Sequence, residues 1–444
     1  MSGSPGSNVQ TAVPWDSSGY QSTRIGAKVL GMSAVDDFLA CLTPGSRVYV
    51  AGSCAEPRGL VELIDENREQ LNGLHFIQQP LGVVNQRDFS SLVPDSTQRS
   101  FFMAPQLQPG LADGRVEFVP MHMRAIFDYL KSTRLDVALL QAARDQHGVL
   151  RFGPNLDYVE AVLGNAKKVI VEENLDFVAS QTAPEVDCAA AELIIPCHGG
   201  VPTYPLAEPD DTSAQIGSLI AGLIRDGDCL QTGIGAVPAA ILNNLRERSD
   251  LGFHGGLMDD GVMQLIENGN LTGSRKGIDQ HRHVLGMALG SEALLEWLAY
   301  SDSASTVSFR SADYTHEASV IAQLDNFVSV NSAIEVDLHG QVNAEVAGGR
   351  QISGTGGSVD FMRAAKMSRG GRSIVAMSST ARRGSVSRIV PRVEVVTALR
   401  ADVDIVVTEF GTAVLKDASL NERARRLIAI AHPNFRDELT SVIT

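Results

Sequence analysis

The 444-residue sequence has few cysteines, few aromatic residues and no long apolar run. Its five cysteines are odd in number and form no Cys-x-x-Cys pair, which predicts reduced thiols in a cytoplasmic protein. No apolar stretch approaches the ~18–20 residues that a bilayer span needs, so we expect no transmembrane helix. The 37 Lys and Arg are outnumbered by 52 Asp and Glu, and the net charge of −15 disfavours nucleic acid or a membrane surface as the main partner.

Several common catalytic motifs are absent as well. The sequence contains no G-x-S-x-G, no phosphate-binding G-x-x-x-x-G-K-[ST] and no H-E-x-x-H. Cys197 and His198 are adjacent, but neighbours on a strand point to opposite faces, so the pair does not predict a cysteine nucleophile. His281 and His283 have no third ligand at a suitable spacing, and we expect no metal.

What the sequence does contain is an alternation of short apolar runs and amphipathic segments. Residues 211–225 and 420–431 carry apolar side chains at three- and four-residue spacing, as helices do. The alternation predicts an α/β fold with parallel strands that are buried on both faces. The apolar runs lie at residues 48–51, 137–140, 169–171, 374–377 and 405–407.

Composition also divides the chain. Residues 1–21 are rich in Ser, Gly and Pro and lack the apolar region of a signal peptide, which predicts a flexible N-terminal tail. Prolines and aspartates concentrate at residues 202–211, as they do in linkers. We therefore expect one α/β domain over residues 22–205 and a second over residues 206–444.

Two glycine-rich loops precede helical patterns. One contains Gly233 and Gly235, and the other spans residues 353–357. Backbone N–H groups of such loops can hold an anion at the start of a helix, although a tight turn explains either loop taken alone. Glu409 ends an apolar run, and a carboxylate in that setting is either paired with a cation or functional.

A longer series of segments carries a family resemblance. The segments resemble, in this order, motifs of the acetyl-CoA hydrolase/transferase family, especially of 4-hydroxybutyrate CoA-transferases. They read LDVAL at 135–139, DQHG at 145–148, LQTGIGAVP at 230–238, SVNSAIEVD at 329–337, SGTGGSVDF at 353–361 and VTEFG at 407–411.

This resemblance implies two CoA-transferase-type α/β domains with an active site in the cleft between them, and a homodimer. Its substrate would be coenzyme A in the form of an acyl-CoA, with a small-molecule acceptor or water. In the family, a glutamate attacks the thioester, forms an acyl-glutamyl anhydride and becomes a glutamyl-CoA thioester, which a second carboxylic acid then resolves. Glu409 matches a family glutamate near this nucleophile. The cleft and its oxyanion donors would include Gln231, Gly233, Gly235, Asn331, Gly354, Thr355, Gly356 and Gly357.

The sequence departs from the family at the nucleophile itself. The family segment reads DLGIHTEMFSDG, whereas residues 250–261 read DLGFHGGLMDDG. The shared flanks, which include His254, hold the register and place Gly256 at the glutamate position. The glutamyl-CoA mechanism therefore cannot run as it does in the family.

Three hypotheses on the function follow from this difference. In the first, Gly256 leaves room beside the thioester carbon, and water or a non-carboxylate acceptor attacks directly, with Glu409 as the general base. In the second, another carboxylate such as Asp259 replaces the nucleophile in an ordinary CoA-transferase. In the third, the protein binds acyl-CoA without catalysis.

Overall fold

A computed structural model describes residues 32–205 and 207–442. The tail predicted over residues 1–21 lies outside the described residues. Two large, mostly parallel sheets form on either side of position 206, with helices between their strands, so the α/β prediction is confirmed. The exact domain boundary stays a prediction.

The first sheet has eight strands in the order β4-β3-β2-β1-β5-β7-β8, with β6 paired to β5. All neighbours along this order pair in parallel, and β6 is antiparallel. The strands are β1 (Arg47–Val50), β2 (His75–Gln78), β3 (Thr97–Ser100), β4 (Val116–Phe118), β5 (Leu135–Arg144), β6 (Leu150–Phe152), β7 (Ala166–Asn174) and β8 (Leu193–Cys197).

The second sheet has six strands in the order β10-β9-β15-β20-β24-β25, and β25 is its antiparallel edge strand. The remaining strands form short two- and three-stranded ribbons. The strands of the second half are β9 (Cys229–Gln231), β10 (Gly252–Phe253), β11 (Leu257–Met258), β12 (His283–Leu285), β13 (Met287–Ala288), β14 (Val307–Phe309), β15 (Phe327–Ser332), β16 (Glu335–Asp337), β17 (Val342–Asn343), β18 (Val346–Ala347), β19 (Arg350–Gln351), β20 (Arg372–Ala376), β21 (Thr380–Ala381), β22 (Val386–Ser387), β23 (Ile389–Val390), β24 (Ile405–Thr408) and β25 (Gly411–Val414).

Helices cover the faces of both sheets. The helix predicted over residues 211–225 ends at Ala221, because Gly222 and tighter turns follow it. The helices are α1 (Met32–Leu39), α2 (Arg58–Glu66), α3 (Gln108–Asp113), α4 (Met123–Ser132), α5 (Val159–Leu163), α6 (Asp211–Ala221), α7 (Ala236–Asn243), α8 (Asp260–Glu267), α9 (Glu292–Tyr300), α10 (Ala312–Thr315), α11 (Ala318–Ile321), α12 (Ser358–Met367), α13 (Leu420–Ile430) and α14 (Pro433–Ser441).

One apolar core extends through both halves of the protein. Leu140 of the first sheet belongs to the same buried cluster as Ile216 of α6 and Val330 of the second sheet. The five predicted apolar runs all fall on strands of the two sheets, as their burial on both faces requires. In the part of the chain that the structure describes, no helix could span a membrane. All five cysteines are unpaired.

Candidate active site

Three of the predicted site residues, Gln231, Asn331 and Gly256, lie at or after the carboxyl ends of the second sheet's parallel strands, where open α/β sheets hold their ligands. Gln231 ends β9, Asn331 lies near the end of β15, and the segment with Gly256 follows β10. Asn331 Nδ2 donates to Gln231 Oε1 at 3.1 Å, and Gln231 Nε2 donates to Asn331 Oδ1 at 3.4 Å. These two amides therefore hold each other in a fixed orientation at the sheet edge.

Gly256 lies beside a histidine that the sequence reading did not single out. A Cβ atom built on Gly256 would be 3.0 Å from Cε1 and 3.1 Å from Nε2 of His316, and 3.7 Å from Phe361. The room expected beside Gly256 is bounded on this side, because the His316 imidazole lies at contact distance from the Cβ position.

His316 follows the short helix α10 and is held firmly. Its side chain is 2% exposed, and its ring lies against Phe361 with the ring centroids 4.5 Å apart. No local motif in the sequence marks this residue. The sequence contains only an indirect indication of His316. If a buried glutamate is replaced by glycine, as we predict at position 256, some other side chain must fill the volume that it leaves.

Thr315 lies between two hydrogen-bond partners that bear on the tautomer of His316. Thr315 Oγ1 is 3.2 Å from the Ser311 carbonyl oxygen and 2.8 Å from His316 Nδ1. When the hydroxyl donates to Ser311, Nδ1–H of His316 donates to Thr315 Oγ1 and Nε2 carries the lone pair; when the hydroxyl donates to Nδ1, Nε2 carries the proton. Nε2 makes no hydrogen bond within residues 32–205 and 207–442. Burial, with His254 nearby, lowers the pKa of His316 to about 3, so the ring is neutral at physiological pH.

The second glycine loop reaches the same point from the other side. Thr355 Oγ1 donates to the Met121 carbonyl oxygen at 2.7 Å, and the Gly356 carbonyl oxygen accepts from Met123 N–H at 3.2 Å. Gly354 packs so tightly on the Phe101 carbonyl that a Cβ atom would not fit there. These contacts dock the loop on the first half of the chain.

Gly357 connects this loop to His316. It precedes α12, and a Cβ atom on Gly357 would overlap Nε2 and Cδ2 of the imidazole. No side chain caps the start of α12, so its first N–H groups point to the same region. The ring of His316 thus lies between Gly256, the predicted position of the family nucleophile, and the start of α12.

The first glycine loop borders the site without touching His316. Gly235 has a φ of +114°, which favours glycine, and α7 begins immediately after it. A Cβ atom on Gly233 or Gly235 would meet no atom within 4 Å. Ile234 between them packs on the same apolar cluster as Leu257, which follows Gly256. This loop is therefore open on the side away from the cluster.

Two predicted catalytic neighbours of Gly256 have structural partners. His254 is fully buried, and its Nε2 donates to the Thr315 carbonyl oxygen at 3.1 Å. Burial lowers the pKa of His254 to about 3, with Lys276 adding to the effect. Asp259 caps α8 by accepting from Val262 N–H at 3.2 Å, and burial raises its pKa to about 6. The contacts of both side chains favour structural roles.

Glu409 is half-buried at the end of β24. Both of its carboxylate oxygens accept from Ser379, from the backbone N–H at 2.8 Å and from the hydroxyl at 2.6 Å. None of its hydrogen bonds within the described ranges involves Gly256, His316 or the second glycine loop. Because β15 and β20 separate β24 from β9, three strand spacings of about 4.8 Å put it roughly 14 Å from the end of β9. These contacts favour loop positioning over a role as general base.

A polar cavity of about 440 Å³ lies elsewhere, in the first half of the chain. Its lining is charged of both signs and includes Arg58, Arg68, Arg87, Glu62 and Asp65. Arg87 is already paired with Glu62 and Asp65, and none of the predicted site residues lines this cavity.

The paired α/β halves define the fold class of the CoA-transferases. The crystal structure of a 4-hydroxybutyrate CoA-transferase from Porphyromonas gingivalis is 31% identical to this chain, with a TM-score of 0.75, over 92% of this chain and 96% of that one. The crystal structure of RipA from Yersinia pestis is 32% identical, with a TM-score of 0.84 and the same coverage.

Sequence comparison leads to the family. The acetyl-CoA hydrolase/transferase N-terminal domain matches residues 32–188, and the C-terminal domain of the same name matches residues 290–443. The 4-hydroxybutyrate coenzyme A transferase of Clostridium kluyveri is 35% identical over 402 residues, which covers 89% of this chain and 92% of that protein. This chain belongs to the acetyl-CoA hydrolase/transferase family, whose members act on CoA thioesters.

Proposed function

We propose that this protein binds an acyl-CoA and catalyses direct attack on its thioester, by water or by a non-carboxylate acceptor, without a glutamyl-CoA intermediate. The observation that carries the proposal is Gly256. The position that we predict for the family nucleophile has no side chain, and the His316 imidazole lies 3.0–3.1 Å from where its Cβ atom would be. A covalent carboxylate intermediate has no residue on which to form there.

The groups around Gly256 suit an acyl transfer in which backbone N–H groups bind the carbonyl oxygen of the thioester. The free N–H groups at the start of α12 can donate to a developing oxyanion, and the positive end of the helix dipole favours the negative charge. Preorganised donors of this kind supply a large part of the rate acceleration in acyl transfer, and they do not require a covalent nucleophile.

A substitute carboxylate is the less favoured alternative. Asp259 already accepts from the backbone of α8, and Glu409 already accepts twice from Ser379. Either group would have to leave its partners before it attacked a thioester. We therefore place the ordinary transferase mechanism second. Acyl-CoA binding without catalysis has no structural observation in its favour.

The test is a panel of acyl-CoAs incubated with the purified protein, with and without carboxylate, alcohol and amine acceptors. Free thiol and new acyl products are followed together by colorimetry and mass spectrometry. Thiol release with water, alcohols or amines supports the proposal. New acyl-CoAs that form only with carboxylate acceptors would support the substitute-carboxylate mechanism, and binding without turnover would overturn both. We also propose a cytoplasmic homodimer, which light scattering of the purified protein tests for its oligomeric state.

A further inference from the structure

We propose that His316 is the catalytic base of this direct attack, with its Nε2 atom accepting the proton of the incoming water or acceptor. The inference rests on the proposed function and assigns a residue to it. It starts from an arrangement of three residues that come from separate parts of the chain: Gly256, His316 and Gly357.

The first argument is steric. The Cβ position of Gly256 is 3.1 Å from His316 Nε2, and the Cβ position of Gly357 would overlap the same atom. Both backbones approach the ring so closely that only glycine fits at position 357 and an added side chain at position 256 is crowded. His316 Nε2 therefore lies 3.1 Å from the Cβ position at which we predict the family's carboxylate side chain.

The second argument is the free hydrogen-bonding capacity of Nε2. His316 is 2% exposed, and Nε2 has no hydrogen-bond partner in the described ranges of the chain. Nε2 is not fully buried, so a small accessible surface remains through which a ligand can reach it. Here the atom is aimed at the uncapped start of α12. A bound thioester with its attacking group would supply the missing partner.

The proton and electron balance of the step is complete without a cofactor. The attacking oxygen or nitrogen bonds to the thioester carbon while its proton passes to Nε2, and the carbonyl oxygen becomes an oxyanion. Collapse of this intermediate breaks the C–S bond, and the CoA thiolate takes the proton from the imidazolium. The step uses the tautomer in which Nδ1–H donates to Thr315 Oγ1, and the ring returns to that tautomer at the end of the cycle.

Electrostatics are consistent with this cycle. Burial lowers the pKa of His316 to about 3, which keeps the ring unprotonated at neutral pH and also makes Nε2 a weak base in the free protein. The oxyanion that forms at the start of α12 is an opposite charge beside the developing imidazolium. It stabilises the protonated ring at the moment at which the proton is transferred.

The test compares His316→Asn with the unsubstituted protein. The asparagine amide can still donate to Thr315 Oγ1 but has no basic nitrogen at the Nε2 position. With the best acyl-CoA of the panel, we expect turnover to fall roughly 10²-fold or more, as for loss of a general base, while the Kd for acyl-CoA changes less than about threefold. His283→Asn is the matched control, since His283 is also buried but lies on β12.

A second variant makes the result independent of asparagine. His316→Ala leaves a space of the size of an imidazole ring, and added imidazole should restore a measurable part of the turnover of this variant. Added imidazole should not change the turnover of the His283→Asn control. If the unsubstituted protein turns over acyl-CoA and His316→Asn does so equally well, the base assignment is overturned and the proposed function stands. If the unsubstituted protein releases no thiol with any acceptor, the proposed function itself fails.

Discussion

The close approach of Gly357 to His316 leads to a quantitative prediction about stability. Gly357 has a φ of −94° and a ψ of 0°, a conformation that alanine adopts without strain, so Gly357→Ala tests the space alone. Its Cβ atom would overlap the His316 ring. The ring cannot move away easily, because it packs on Phe361 and is hydrogen-bonded to Thr315. Overpacking of this kind costs about 1–3 kcal/mol of unfolding free energy.

The neighbouring glycines provide a graded series. Gly256→Ala should cost less than Gly357→Ala, since its Cβ atom would be 3.0 Å from the nearest ring atom, a separation that a small shift relieves. Gly164→Ala is the control: its nearest neighbour would be 3.8 Å away, and we expect a change within about 0.5 kcal/mol.

A double-mutant cycle then isolates the contact. In a His316→Ala background the overlapping ring is gone, so Gly357→Ala should cost at least about 1 kcal/mol less than it does alone. The assay is urea-induced unfolding of all four proteins, followed by circular dichroism and checked for coincident transitions. Strict additivity of the two substitutions would show that the ring does not contact Gly357, and would remove the steric basis of the His316 assignment.

Three further predictions concern the carboxylates. Burial raises the pKa of Asp157 to about 7, and the unfolded chain releases this proton near pH 4, so the stability that the protonated group provides is lost as the pH rises through that window. Asp157→Asn should therefore gain stability relative to the unsubstituted protein as the pH rises from 4 to 7, by up to about 1.4 kcal/mol per pH unit, and this gain should level off above pH 7. Thermal unfolding measures it, with Asp302→Asn at an exposed position as the control. Glu409→Gln should lower the free energy of unfolding by about 1–2 kcal/mol, because the neutral amide forms weaker hydrogen bonds with Ser379. It should lower turnover less than tenfold, and a 10²-fold loss of turnover would identify Glu409 as the general base. Borohydride with acyl-CoA should leave activity intact, because Gly256 forms no glutamyl thioester, and inactivation mapped to Asp259 by mass spectrometry would favour the substitute-carboxylate mechanism.

Patterns that run along the chain were sufficient for the fold and the family. The apolar runs at 48–51 and 405–407 lie on strands because a strand buried on both faces needs an unbroken apolar stretch, whatever else surrounds it. The absence of the family nucleophile at Gly256 is a prediction of the same kind, because the residues on both sides match the family segment in register. Secondary structure and the register of a motif are both properties of local sequence.

The contacts of the candidate residues depended on tertiary structure. The sequence offers Asp259 and Glu409 as carboxylates for the expected site, but both form hydrogen bonds in the folded protein. Asp259 accepts from the first turn of α8, and Glu409 accepts from Ser379. Burial and partners, and not residue type, decide whether a carboxylate can act as a base. Sequence alone could not distinguish a free carboxylate from a bonded one.

His316 shows the difference most clearly. In the sequence it is one histidine of ten, on a short helical segment with no motif around it. Only the folded chain brings its ring between Gly256 and Gly357, because the strand after which Gly256 lies and the loop before α12 converge at one sheet edge. The sequence alone predicts that the family nucleophile is absent at Gly256, and the tertiary structure decides which side chain lies beside that position, since close packing fills a volume from whichever part of the chain lies nearest in space.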